Sequence, residues 1–284
     1  MSSLPLPAAP KGTVPDAVAQ AVADATRRRR RRERQRRVVV RSVQFVLLGA
    51  VLGIWQHAGS SRLGKVLYST PTDVLRVLRS WATDSAAWSD LGVTLREAVL
   101  GYLIGASLAV VLALLLLASP FAQRFTAPFV AAMGALPKVA MAPLFGVWFG
   151  LGITSKVAFV VSITFFLVFW GVTTGLRAID PVYIQNTRLL GARRSWMLRE
   201  VYLPATVGWV MTSLRVCISW AFIGATIAEY LAASQGIGFR VREAQSIFRQ
   251  DIVVSGILII SIVALLFDRG LWRVERRFSR WRLG

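Results

Sequence analysis

Residues 98–118 form a stretch of 21 residues without one charged side chain, and within it 112–117 reads LALLLL. As a helix rising 1.5 Å per residue it is about 31 Å long, matching the roughly 30 Å hydrocarbon core of a bilayer. Such a segment is apolar on every face, so lipid or other apolar helices must surround it. It is not alone. Residues 157–176 are uncharged over 20 residues, 252–267 over 16, and further apolar stretches cover 38–58, 125–150 and 205–228. The sixth stretch extends to about Trp272. The sequence therefore predicts an all-α, polytopic membrane bundle of about six transmembrane helices. Composition agrees, with 17% charged residues where soluble domains average about a quarter.

The 34 Lys and Arg are clustered. Arg27 to Arg32 are consecutive, and Arg34, Arg36, Arg37 and Arg41 follow directly before the first apolar stretch. Basic residues flanking a span stay on the cytoplasmic side and are drawn to anionic lipid. With the N-terminus inside and six spans, 23 of the 34 fall on the cytoplasmic side and nine outside, while Lys138 and Arg215 lie within spans. Both termini and the segment 177–204 are therefore expected to face the cytoplasm. The arginine cluster has no interleaved aromatics, so nucleic acid is not an expected partner. Residues 1–26 hold Ala and Pro but no signal-peptide core, and a short helix near 14–25 is compatible with them. Residues 1–37 are read as a disordered, Arg-rich cytoplasmic tail, and 38–284 as the transmembrane domain.

The spans differ in texture. The stretch 125–150 contains Pro128, Pro137, Pro143, Gly134, Gly146 and the single charge Lys138, so it cannot be a smooth helix. Prolines and ionisable groups inside a membrane are tolerated where a segment faces protein or a water-filled path. Lys138, with Arg215 and Glu229 in and after the fifth span, is a candidate for a translocation path or its outer gate. A basic pair there would suit an anion. Simpler roles stand beside this one: Lys138 pairing with a carbonyl, and Arg215 pairing with a helix end or an acid. Gly101 and Gly105, four apart, permit close helix approach. Thr70-Pro71-Thr72-Asp73 before Val74, Leu75, Leu78 and Trp81 predicts an interfacial helix. The lone Cys217 excludes an internal disulfide, the lone His57 ends the first span, and no Gly-x4-Gly-Lys-Ser/Thr phosphate loop occurs. No cofactor is expected. On residues alone, a coupled pore subunit and a secondary transporter or channel that needs no ATPase both stay open.

The segment from Gln185 to Pro204 has Gly191, nine residues, Val201, one residue, then Leu203-Pro204. This resembles the cytoplasmic loop of the permease subunits of bacterial ABC importers, although the Glu-Ala-Ala triplet usual there falls on Gln185, Asn186 and Thr187. Further matches to the branch for sulfonate, taurine and nitrate are Ser69 to Leu75, Thr94-Leu95-Arg96 with Gly101-Tyr102, Leu136-Pro137 through Pro143 to Gly152, and Ala228-Glu229-Tyr230 with Gly236-Ile237-Gly238. The resemblance implies a multi-pass permease of the bacterial inner membrane, with ATP hydrolysis on separate subunits. It implies two ABC ATPase subunits, a second permease copy or homologue and an extracytoplasmic solute-binding protein as partners. It also implies ATPase coupling through Asn186, Arg188, Gly191, Ala192, Arg193, Trp196, Met197, Leu203 and Pro204. A helix from Asn186 to Trp196, stopped further on by Leu203-Pro204, would form the projecting lever, with Trp196 and Met197 as apolar anchors.

Overall fold

The structure, a computed structural model, describes residues 16–117 and 120–279. Among the described residues every regular element is helical. Helix α1 (Asp16–Gly59) contains the first apolar stretch, and residues up to His57 form a unit of their own. The disordered tail expected over 1–37 is corrected from Asp16 onward, where the chain is helical; residues 1–15 lie outside the described residues. Alanine and arginine are both good helix formers, so the helix of the span propagates back through them.

The second unit begins with α2 (Arg62–Leu67) and α3 (Pro71–Thr83). The sequence signals at α3 work as expected. Thr70 is the N-cap, its hydroxyl accepting from the Asp73 N–H at 3.2 Å, and Pro71 occupies the first turn. The same hydroxyl donates to the Asp73 carboxylate at 2.8 Å; with Arg76 alongside, it holds that carboxyl below its ordinary range. The helix buries Val74, Val77 and Trp81 against the bundle.

The bundle proper is built on α4 (Ser85–Leu117), α7 (Ile153–Arg177) and α10 (Leu203–Ala232). Helices α11 (Ile237–Ser246) and α12 (Gln250–Ser279) pack beside α10, and α12 also covers α3. Among the described residues five helices are long and apolar enough to cross a membrane, and a sharply bent pair makes up to six. Val160, Phe222 and Ala225 form one buried cluster with Trp81 and Ile237; Ala109, Val168, Val172 and Cys217 form another. The cysteine is an inert core residue.

Gly101 and Gly105 face α7. A Cβ on Gly101 would lie 2.4 Å from the Cβ of Val160, and one on Gly105 would lie 2.0 Å from Thr164 Oγ1. The missing side chains let Thr164 Oγ1 reach the Gly101 carbonyl at 3.2 Å. Gly105→Leu is therefore expected to destabilise the bundle by about 1–3 kcal/mol through overpacking. Gly92→Ala, on the same helix but in open space, should stabilise it by about 0.5–1 kcal/mol. Thermal unfolding in mild detergent checks both, and equal shifts would refute the α4–α7 contact.

The proline-rich stretch is broken once. Helix α5 (Pro120–Ala135) and α6 (Lys138–Phe149) meet at 93° across Leu136-Pro137. Pro128 and Pro143 lie inside their helices, so of the three prolines only Pro137 coincides with the break.

Candidate functional site

Helix α8 (Pro181–Leu189) opens on Asp180, whose carboxylate accepts from the Val182 N–H at 2.8 Å, with Pro181 in the first turn. It ends in a Schellman motif. The Gly191 N–H donates to the Arg188 carbonyl at 2.9 Å and the Ala192 N–H to the Thr187 carbonyl at 3.3 Å, with Gly191 at φ +81°. The expected lever from Asn186 to Trp196 is thus corrected: the helix stops before Gly191, because a left-handed residue cannot continue it. The chain restarts as α9 (Arg194–Met197), passes through a π-helical turn (Leu198–Tyr202) and enters α10 directly. Leu203-Pro204 does not stop a helix as expected; Pro204 sits in the first turn of α10, where its missing N–H is least costly.

Asn186, Arg188, Gly191 and Arg193 are exposed on this angled arm, and Ala192 is half-buried. Trp196, Leu203 and Pro204 are also exposed, Leu203 marginally. Met197 is 3% exposed and belongs to the chain's own interior, which corrects its reading as an anchor for a partner. The apolar tips are instead Leu189 and Leu190, 85% and 88% exposed. Sequence reasoning missed them, although two leucines directly before a helix-ending glycine are a readable signal.

The structure distributes the three in-span charges among different partners. Lys138 Nζ donates to the Met133 and Gly134 carbonyls at 3.4 and 3.1 Å and lies 4.3 Å from the centre of the Phe166 ring. It caps the C-terminal end of α5 at the bend, where a cation suits the exposed carbonyls. Arg215 Nε donates to Asp268 Oδ1 at 3.1 Å, tying α10 to α12. Glu229 is fully buried near the end of α10. It accepts from the Thr94 hydroxyl at 2.7 Å and from the Gly238 N–H at 2.7 Å.

Around Glu229 a polar junction assembles from residues far apart in sequence. Asp90 accepts from the Gly236 N–H at 2.8 Å, and Thr94 Oγ1 accepts from the Ile237 N–H at 3.0 Å. Three successive N–H groups at the start of α11 are thereby satisfied by α4 and α10. Arg240 of α11 donates to Asp90 and, at 3.2 Å, to Asp84. Gly236 and Gly238 make the approach possible, since a Cβ on either would lie within 2.4 Å of Glu229 Oε1 or of the Thr226 carbonyl. Asp90, Asp84, Arg240, Glu97 and Lys156 were not singled out from sequence as functional; only packing gathers them into this network.

Beside the angled arm, α4, α5, α7, α8 and the π turn enclose a cavity of about 510 Å³ whose polar lining includes Gln123, Thr126, Thr173, Arg177 and Tyr202. Among the described residues no group of three or more His, Cys, Asp or Glu is placed to hold a metal ion.

The described residues thus form an all-helical bundle with a bent pair and an angled loop entering the penultimate long helix. Residues 105–280 match the binding-protein-dependent transport system inner membrane component, and the chain belongs to that family. It is similar to the putative aliphatic sulfonates transport permease protein SsuC of Bacillus subtilis, 26% identical over 84% of this chain and 86% of that one. It is likewise similar to the taurine transport system permease protein TauC of Escherichia coli, 28% identical over 82% and 87%. The formylaminopyrimidine transport permease protein ThiX of Halalkalibacterium halodurans is 29% identical over 81% and 91%. The fold is shared with a chain of the MetNI methionine ABC transporter in an inward facing conformation, with TM-score 0.53 and 17% identity over 73% of this chain and 98% of that one. A chain of an amino acid ABC transporter matches with TM-score 0.54 and 17% identity, over 74% and 97%. The protein is a multi-pass ABC importer permease of the inner membrane.

Proposed function

We propose that this permease forms half of a translocation path for a small organic or inorganic ion of the sulfonate, taurine or nitrate type. The pore is completed by a second copy or homologue. Solute arrives on an extracytoplasmic binding protein, and ATP is hydrolysed by two separate ATPase subunits. The observation that carries the coupling part is the angled arm, where Leu189 and Leu190 stand exposed on a turn fixed by the Gly191 Schellman motif. Exposed leucines on a rigid, charge-flanked turn suit a groove in a partner protein. Arg188 and Arg193 supply the rim. The arm enters α10 without a flexible break, so displacement of the arm is transmitted to a span.

The solute class is supported by the relatives' names and by positive charge along the bundle: Lys138, Arg215 and, at the polar cavity, Arg177. Lys138, Arg215 and Glu229 remain the proposed path or gate residues, with their partners at the α5–α6 bend, Asp268 and Thr94 as the contacts that must exchange if the path opens. In this proposal the transmembrane domain runs from 38, with 177–204 as its coupling segment and the N-terminal arginines as the topological and anionic-lipid anchor.

The test is uptake into proteoliposomes holding the permease with its ATPase and its binding protein, using radiolabelled taurine and an alkanesulfonate as probes. Uptake should require ATP and the binding protein, and should fall at least tenfold when either is omitted. Uptake that persists after ATP depletion would overturn the coupled-pore reading.

A further inference from the structure

Two carboxyl groups meet where α4 and α10 close on each other. Glu97 and Glu229 are 2% and 0% exposed and act electrostatically on each other, and Thr94, one turn before Glu97 on α4, donates its hydroxyl to the Glu229 carboxylate at 2.7 Å. Carboxylates only accept, so two that face one another repel unless a proton lies between them. Glu229 is furnished as the ionised partner, because its oxygens already accept from the Thr94 hydroxyl and the Gly238 N–H. Glu97 is not. Its Oε2 is buried and receives no hydrogen bond. Leaving a charged oxygen in that condition is strongly unfavourable, whereas a proton makes Glu97 a donor toward Glu229.

The surrounding charges lead to the same count. Lys156 of α7, 5% exposed, faces Glu97 and donates to the Leu151 carbonyl. Asp90 of α4 faces Glu229 but is taken by Arg240 of α11. Glu97 and Glu229 thus meet with Lys156 as the cation beside them, while Arg240 is already shared by Asp90 and Asp84.

We propose that the Glu97–Glu229 pair is a proton-binding site, holding one proton that lets α4, α7, α10 and α11 close on one another. Releasing that proton sets two buried carboxylates against each other at the junction that anchors α11. The site is a protonation-dependent latch, independent of which solute is carried and of which ATPase drives the pore.

Infrared spectroscopy of the full chain in nanodiscs tests this. The wild type at neutral pH should show the carbonyl stretch of a buried protonated carboxyl, which Glu97→Gln should remove and Glu97→Asp should shift. Alkaline titration of the wild type should abolish the band and lower the thermal midpoint over the same pH interval. The midpoint of Glu97→Gln, which keeps a donor without a charge, should stay flat there. Absence of the band in the wild type, or its persistence unchanged in Glu97→Gln, overturns the site. Should the variants not fold, the wild-type titration decides alone: a midpoint that does not follow the band refutes the latch.

Discussion

Replacing Leu189 and Leu190 together by aspartate is expected to separate the permease from its ATPase while leaving the bundle folded. Both side chains are almost fully exposed, so their loss removes no internal contact. Burying an exposed leucine in a partner contributes about 1.5–3 kcal/mol, and a buried carboxylate without a partner adds a further cost. Two such losses weaken association by at least about 100-fold, since about 1.4 kcal/mol is tenfold. Co-purification in mild detergent reads the association, and the thermal midpoint reports the fold. Stoichiometric recovery of the ATPase with the double variant would remove the turn from the interface. Met197→Ala should behave in the opposite way. Its side chain lies in the chain's own interior, so it should cost about 2–5 kcal/mol of stability with the docking surface itself unchanged.

Gly236→Ala should be among the most destabilising single substitutions in the chain. Gly236 has φ +104°, which strains any other residue by about 1–3 kcal/mol. The new methyl would also stand 2.1 Å from Glu229 Oε1, displacing the carboxylate from Thr94 and Gly238. Hydrogen bonds to charged groups contribute about 1.5–3 kcal/mol, so a combined loss of about 3 kcal/mol or more is expected. Gly238→Val should be comparable, because there the obstacle is the Thr226 backbone carbonyl at 2.4 Å, which cannot rotate away. Gly150 offers a control: it also has positive φ, but its Cβ would meet nothing, so Gly150→Ala should show the strain alone. If Gly236→Ala and Gly150→Ala shift the unfolding midpoint equally, the junction at α11 adds nothing beyond backbone strain.

The membrane bundle was legible because bilayer thickness and helical rise leave little freedom. Uncharged stretches such as 98–118 and 157–176 can be satisfied only by spanning helices, and clustered arginines orient them. The α3 start at Thr70-Pro71 and the interruption of the third span were also local matters, decided by a cap and by prolines. Which proline breaks the span was not, since Pro128 and Pro143 are accommodated within helices while the bend falls at Pro137, beside the Lys138 cap.

The functional segments were legible as strings and not as contacts. Gly191 could be singled out, yet its left-handed conformation, which ends α8 and turns Leu189 and Leu190 outward, is a property of the folded turn. Thr94 and Glu229 are 135 positions apart, and Asp90 and Gly236 are 146 apart. No periodicity or spacing in a single sequence links such pairs. Their meeting follows from how α4, α10 and α11 pack, and packing also decides that Met197 faces inward and that Glu97 stands against Glu229. Local chemistry and the bilayer determined the spans; tertiary structure alone decided which charges share a buried junction, because burial and pairing are properties of neighbours in space.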